Sequence, residues 1–196
     1  MSMFLGPIHY WLYNKIGHQE ELTRRLADLA VKEGWISDAA EYVRDLPALE
    51  TVIDEENIHG WLQARISDAE RRYAALVLAA AGQDEARLDT LADAAFAFGK
   101  ENALPAGTGP EDAYKAFENF FVNGMPCDHV NSVTESSDTS LSWEQTQELH
   151  AGSWTSQGGN VDPYYRLRRN VMDGMLSACG LKLSMADKDH YMLEVA

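Results

Sequence analysis

Apolar residues in the first two thirds of the chain recur every three or four positions. After Pro7, the residues Ile8, Trp11, Leu12, Ile16, Leu22, Leu26 and Leu29 fall at helical spacing. Gly6–Pro7 sets the start, because proline is tolerated in a first helical turn. Gly17 marks a bend or a close contact, and Gly34 supplies a stop. Ser37 then reads as the N-cap of a short helix through Tyr42 and Leu46, with Ala40 leaving the capping box incomplete. Pro47 ends that helix or starts another to Asp54. A long helix is expected from Glu55 to Ala81, closed by Gly82, and a further one from Asp84 to Asn102 with Leu88, Leu91, Ala95 and Phe98 as its stripe. Pro105 to Pro110 is a loop. A helix from Glu111 to Phe121 carries Tyr114, Phe117 and Phe121 on one face.

The pattern changes after Gly124. Val130–Glu135 and Thr139–Gln147 suit two strands around a turn at residues 136–138; Leu141 and Trp143 share one face of the second. Gly152–Gly159 reads as a loop. A helix follows, with Asp162 as N-cap, Pro163 at its first position and Gly180 just past its end; Leu167, Val171, Met175 and Ala178 form its buried stripe. The tail alternates as a hairpin, Leu181, Leu183 and Met185 against Tyr191, Leu193 and Val195, with Asp187–Asp189 as the turn. The fold class is therefore α+β and mainly helical. A duplicated helical unit packs against a small C-terminal antiparallel β-β-α-β-β sheet. No flexible linker divides the chain, so residues 1–196 are expected to form a single integrated domain. Its helical repeat units are 7–54 and 57–104, and its sheet-containing part is 125–196.

The repeat rests on Ile8-His-Tyr-Trp-Leu-Tyr-Asn-Lys-Ile16, echoed by Ile58-His-Gly-Trp-Leu-Gln-Ala-Arg-Ile66. At the same offset Glu20 meets Glu70 and Leu26 meets Leu76. In each copy the histidine shares a face with the apolar residues at i+3 and i+7, so His9 and His59 point inward. Two inward histidines, completed by a carboxylate, can hold a metal. Glu20 lies about 16 Å along its helix from His9, so an antiparallel partner would have to supply Glu70 instead. The candidate metal ligands are His9, His59 and Glu70, and the candidate cofactors are a divalent metal or haem. The paired Glu-x-x-His motifs of di-iron bundles and the His-Glu-x-x-His signature are absent from the sequence. Trp11 and Trp61 lie on another side of their helices and could wall an interface.

Composition narrows the partners. A net charge of -15, from 16 Lys and Arg against 31 Asp and Glu, repels nucleic-acid backbones and anionic membranes. Arg166, Arg168 and Arg169 are the one compact basic group. No leader-like start is read, and the longest apolar run, Tyr73 to Ala81, is about nine residues where a span needs roughly 20. The expected location is cytoplasmic, with neither nucleic acid nor membrane as partner. A small molecule and a second copy in a homodimer remain. Two cysteines, Cys127 and Cys179, match no disulfide framework.

Two functions follow. In the first, the protein binds a metal or small ligand through the duplicated inward histidines. The alternative is a structural or protein-interaction module with no catalytic or metal site. A second candidate site is expected where helices meet the sheet. There Cys127, Asp128 and His129 would border a pocket, the loop carrying Trp154 would cover it, and Arg168 could hold a carboxylate.

Overall fold

In the computed structural model, which describes residues 5–196, the two long helices run side by side in the same direction. Near the start of α1 (Pro7–Lys32) and α2 (Ile58–Ala81), His9 meets His59; farther along, Glu20 meets Arg72. Parallel helices oblige the chain to return the length of one of them, roughly 36 Å at 1.5 Å per residue. Residues 33–57 make that return as an irregular strap whose regular structure is a single 3-10 turn at Leu49–Thr51. Side chains of α1 tie it down. Arg24 donates to Asp45, the Tyr13 hydroxyl to the Pro47 carbonyl and the Tyr10 hydroxyl to Glu50. The helices expected from Ser37 to Leu46 and from Pro47 to Asp54 are therefore not formed. The Asp38 carboxylate instead accepts from the Ala40 amide, closing a turn.

The second repeat unit continues differently. After Gly82 the chain enters α3 (Glu85–Glu101), capped by the Asp84 carboxylate on the Ala86 amide. The likeness between the two units thus lies in their first helices, with a strap following one and a helix the other. The next helix, α4 (Pro110–Phe120), turns Ala113, Phe117 and Phe120 to the core.

Four strands complete the fold: β1 (Asn131–Ser136), β2 (Ser140–Gln145), β3 (Leu181–Met185) and β4 (His190–Val195). They form one antiparallel sheet in the order β1-β2-β4-β3. Leu141, Trp143, Leu183, Tyr191 and Leu193 turn one face to the helices, and paired Trp143 and Tyr191 stack 5.0 Å apart. The coarse expectation holds: a mostly helical chain with a small C-terminal four-stranded antiparallel sheet.

Between β2 and β3 lie two helices rather than one. Residues Ala151–Ser156 form α5, within the segment read as a loop, because Trp154 is 1% exposed and anchors it against Tyr73 and Tyr164. In α6 (Asp162–Leu176), Asp162 sits in the first turn and not at the cap; Asn160 accepts from its amide. Helix α6 crosses α3 at very short range. A Cβ at Gly99 would fall 2.1 Å from the Val171 carbonyl oxygen, and one at Gly174 would fall 2.3 Å from that of Phe96. Glycine is required there by close backbone approach.

The buried apolar residues fall into two groups. The larger spans the later parts of α1 and α2, then α3, α4, α6 and the sheet; the smaller holds Leu12, Ile16, Leu49, Ile58, Leu62 and Ile66 at the start of the helix pair.

Candidate functional site

The duplicated histidines do meet, with Nε2 atoms 3.4 Å apart. The His9 Nδ1 accepts from the Gly6 amide at 2.9 Å, which leaves its Nε2–H to donate to His59. Burial, and then the neighbouring His59, hold the His9 pKa below its ordinary value. The pair supplies two of the four ligands of a tetrahedral site. Among the described residues no group of three His, Cys, Asp or Glu is placed to hold a metal. This overturns the metal site assigned to His9, His59 and Glu70, and with it the metal or haem cofactor and the function built on it. The reason is direction. Parallel packing sets matching residues side by side, so Glu70 stays about 16 Å along α2 from His59.

Glu70 is engaged elsewhere. Its Oε1 lies 2.6 Å from His150 Nδ1, both side chains are buried, and the imidazole stacks on Tyr164 at 4.1 Å. Nε2 is the ring nitrogen of His150 left free of Glu70. It faces Asn123 Oδ1 at 3.3 Å while Asn123 Nδ2 has no partner.

This pair opens onto a surface cleft of about 290 Å³ that Asp128 also lines, with Gly124, Gln147 and Leu149. Asp128 accepts from the Met125 amide at 2.7 Å, and so closes the turn between α4 and β1. Cys127 is exposed, and His129 takes the left-handed conformation at φ 48°. Neither lines the cleft. Trp154 belongs to the core below it. Of the residues expected at the junction, Asp128 is the one set against the cleft.

The three arginines of α6 face three ways. Arg166 pairs with Glu85 and Asp89 on α3, and Arg169 with Asp173. Arg168 is 6% exposed; its Nη1 donates one long bond, 3.4 Å, to Gln145, its Nε has no partner, and its guanidinium lies 5.3 Å from the Phe121 ring. It borders a partly open cavity of about 30 Å³ that His18, Gln19, Tyr73 and Tyr164 also line. Lys15 is nearby. Burial brings its amine down to about 8, opposed by Glu118 and aided by Arg168; the amine sits 4.0 Å from the Trp11 ring centre. Trp11 in turn donates to Asn119, and Trp61 packs on Tyr13.

Sequence reasoning passed over Lys15, His18 and Gln19. For Lys15 and Gln19 the signal was present, because Leu12, Lys15, Gln19, Leu22 and Leu26 recur at alternating steps of three and four, so the polar members interrupt an inward stripe. His150 carried no such signal; it lies outside any periodic segment.

The fold and these seams define a helical scaffold closed by a short sheet. Comparison with family models, with curated proteins and with solved structures finds no match for the chain. Among the described residues no helix is long and apolar enough to cross a membrane.

Proposed function

We propose that the chain is a cytoplasmic protein-interaction module, working as one integrated domain without a metal or catalytic centre, and that it takes its partner by strand addition at β1. The observation that carries this reading is the unlikeness of the two sheet edges. At the β3 edge, Arg169 donates to the Leu183 carbonyl at 2.5 Å. At the β1 edge, Ser132 to Ser136 are all exposed. Val133 is 44% exposed, although its cross-strand partner Trp143 is 2% exposed. An open edge is a template for an added strand, whose main-chain hydrogen bonds give affinity. Glu135 and Asp138 stand at this edge of a chain with net charge -15. Charge complementarity favours an extended basic segment over a second acidic copy. The matched His-x-Trp-Leu helices are read as a duplicated unit that serves this scaffold.

A ten-residue peptide of alternating Lys and Val, titrated while backbone amide NMR shifts are followed, tests the proposal. A few main-chain bonds of about 0.5–1.5 kcal/mol each, set against the entropy of association, imply a Kd on the order of 0.1–1 mM at low salt. Shifts should centre on residues 131–136 and weaken with salt. Val133→Lys should abolish them, since an edge lysine blocks pairing. Shifts centred elsewhere would defeat strand addition. A dimer that forms without peptide and is lost in Val133→Lys would replace the basic segment with a second copy.

A further inference from the structure

Arg168 stands apart in a chain where acids outnumber bases by 31 to 16. Arg72, Arg166 and Arg169 each have a carboxylate oxygen within 2.9 Å. Arg168, buried as deeply as any of them, has an amide oxygen at 3.4 Å, an aromatic face and an unpartnered Nε. Nearby phenols and Glu118 favour its charge from a distance, but no carboxylate forms an ion pair with the guanidinium, and a buried charge gains from a direct partner.

The cavity beside Arg168 is mostly apolar, with a few polar groups set into its walls. Gln19 lines it, and its Nε2 has no partner. His18 lines it from α1, stacked 4.1 Å from the Phe120 ring, and burial lowers its pKa so that it stays neutral. The phenols of Tyr73 and Tyr164 are held far above their ordinary pKa by burial and stay protonated. No carboxylate is among the lining residues. The remaining walls are Leu22 of α1 and the rings and aliphatic groups of α3, α4 and the residues after it. The volume, about 30 Å³, exceeds the 10–15 Å³ or so that one water needs, and suits one small anion or about two waters.

We propose that this cavity, between α1, α2 and α6, is a binding site for a small monovalent anion of chloride or formate size, held by Arg168 and Gln19. A cavity with no carboxylate in its lining, bordered by a guanidinium whose Nε is unpartnered and by the unpartnered amide of Gln19, recognises negative charge; its volume of about 30 Å³ suits chloride or formate. The site is independent of the β1 edge, so each proposal stands or falls alone.

The test uses the full chain exchanged into a chloride-free gluconate buffer, with chloride as the probe. The linewidth of the ³⁵Cl NMR signal should broaden beyond the protein-free value, and bromide should reverse the broadening while gluconate does not. In parallel, Tm should rise by roughly 3–6 °C when chloride exceeds its Kd tenfold. Arg168→Met should lose both effects. Gln19→Leu removes one donor without touching the charge, and should weaken chloride binding roughly tenfold. It keeps the proposal testable should Arg168→Met fail to fold. Bromide-soaked crystals should show an anomalous peak beside Arg168. Absence of excess broadening would overturn the proposal in favour of water. Broadening retained in both variants would place the anion elsewhere and overturn it equally.

Discussion

Two arginines in this molecule are almost equally buried and are treated in opposite ways. Arg72 is 7% exposed in the seam between α1, α2 and the strap; Arg168 is 6% exposed in the seam between α1, α6 and the sheet. Arg72 meets Glu20 with two nitrogens, donates to Asp68 at 2.9 Å and to the Tyr42 carbonyl at 2.7 Å. Its planar fork is nearly filled: Glu20 ties α1 and the Tyr42 carbonyl ties the strap to α2, while Asp68 braces the guanidinium from one turn back on α2 itself. Arg168 has one long bond and a cavity. Burial alone therefore does not distinguish a structural charge from a binding one; the completeness of its partners does.

Breaking the first seam should have the largest effect. Glu20→Ala leaves Arg72 buried with part of its fork empty and should lower stability by about 3–5 kcal/mol, read by urea unfolding. Replacing Glu20 and Arg72 together by methionine should restore most of that loss. A single-site loss below about 1 kcal/mol would mean that the pair is solvated and that the contrast with Arg168 is false.

The second seam should respond with the opposite sign. Lys15 is buried, and its amine is held down at about 8, so charge is unfavourable there at neutral pH. Lys15→Met should therefore stabilise the protein by about 1–3 kcal/mol at pH 7. Because the folded pKa lies below the unfolded one, wild-type stability from this group rises with pH above about 8, and the gain of the variant should shrink there. A loss of stability at pH 7 would show that the amine's contact with Trp11 outweighs its desolvation.

Acid should separate the seams by pH. His18, and His9 at the far end of α1, are both lowered by burial, with His59 adding to the effect at His9. The unfolded chain then binds more protons, so stability is lost as pH falls below about 6.5. In the first seam, burial would raise the Asp68 pKa, but its hydrogen bond to Arg72 and the charges of Arg72, Arg71 and Arg65 outweigh this and lower it. Its contribution is present above about 3.8 and lost only below that. Thermal unfolding across this range should thus fall in two stages, and His18→Phe should shrink the first. A single stage confined below pH 4 would count against burial of the histidines.

The smallest effect is expected at the junction. Exposed Cys127 should alkylate in the native protein and buried Cys179 only after denaturation, with both seams unaffected. Peptide mass mapping reads the order. Native labelling of Cys179 would show that the α6–β3 corner opens.

By itself the sequence determined the elements that periodicity controls. The stripes of α1 to α3, the glycine stops and the alternation of Leu181, Leu183, Tyr191 and Leu193 depend only on neighbours along the chain, so they could be read there; on α4 the core takes Ala113 and Phe120 with Phe117, where Tyr114 and Phe121 were expected. The sequence also placed His9 inward, whereas His59, expected on the same inward face of its helix, is exposed. Only the tertiary structure decided that α1 and α2 run parallel. That one choice stretched residues 33–57 into a strap over weak helix signals, and gave Arg72 its partners. It also brought the histidines together while leaving Glu70 to His150, eighty residues on. In the same way Trp154 folded a Gly- and Ser-rich segment into a helix, because burial of a large ring outweighs the poor local propensity of those residues. Whether a buried charge finds a partner is settled by distances in space, and no pattern along the chain records them.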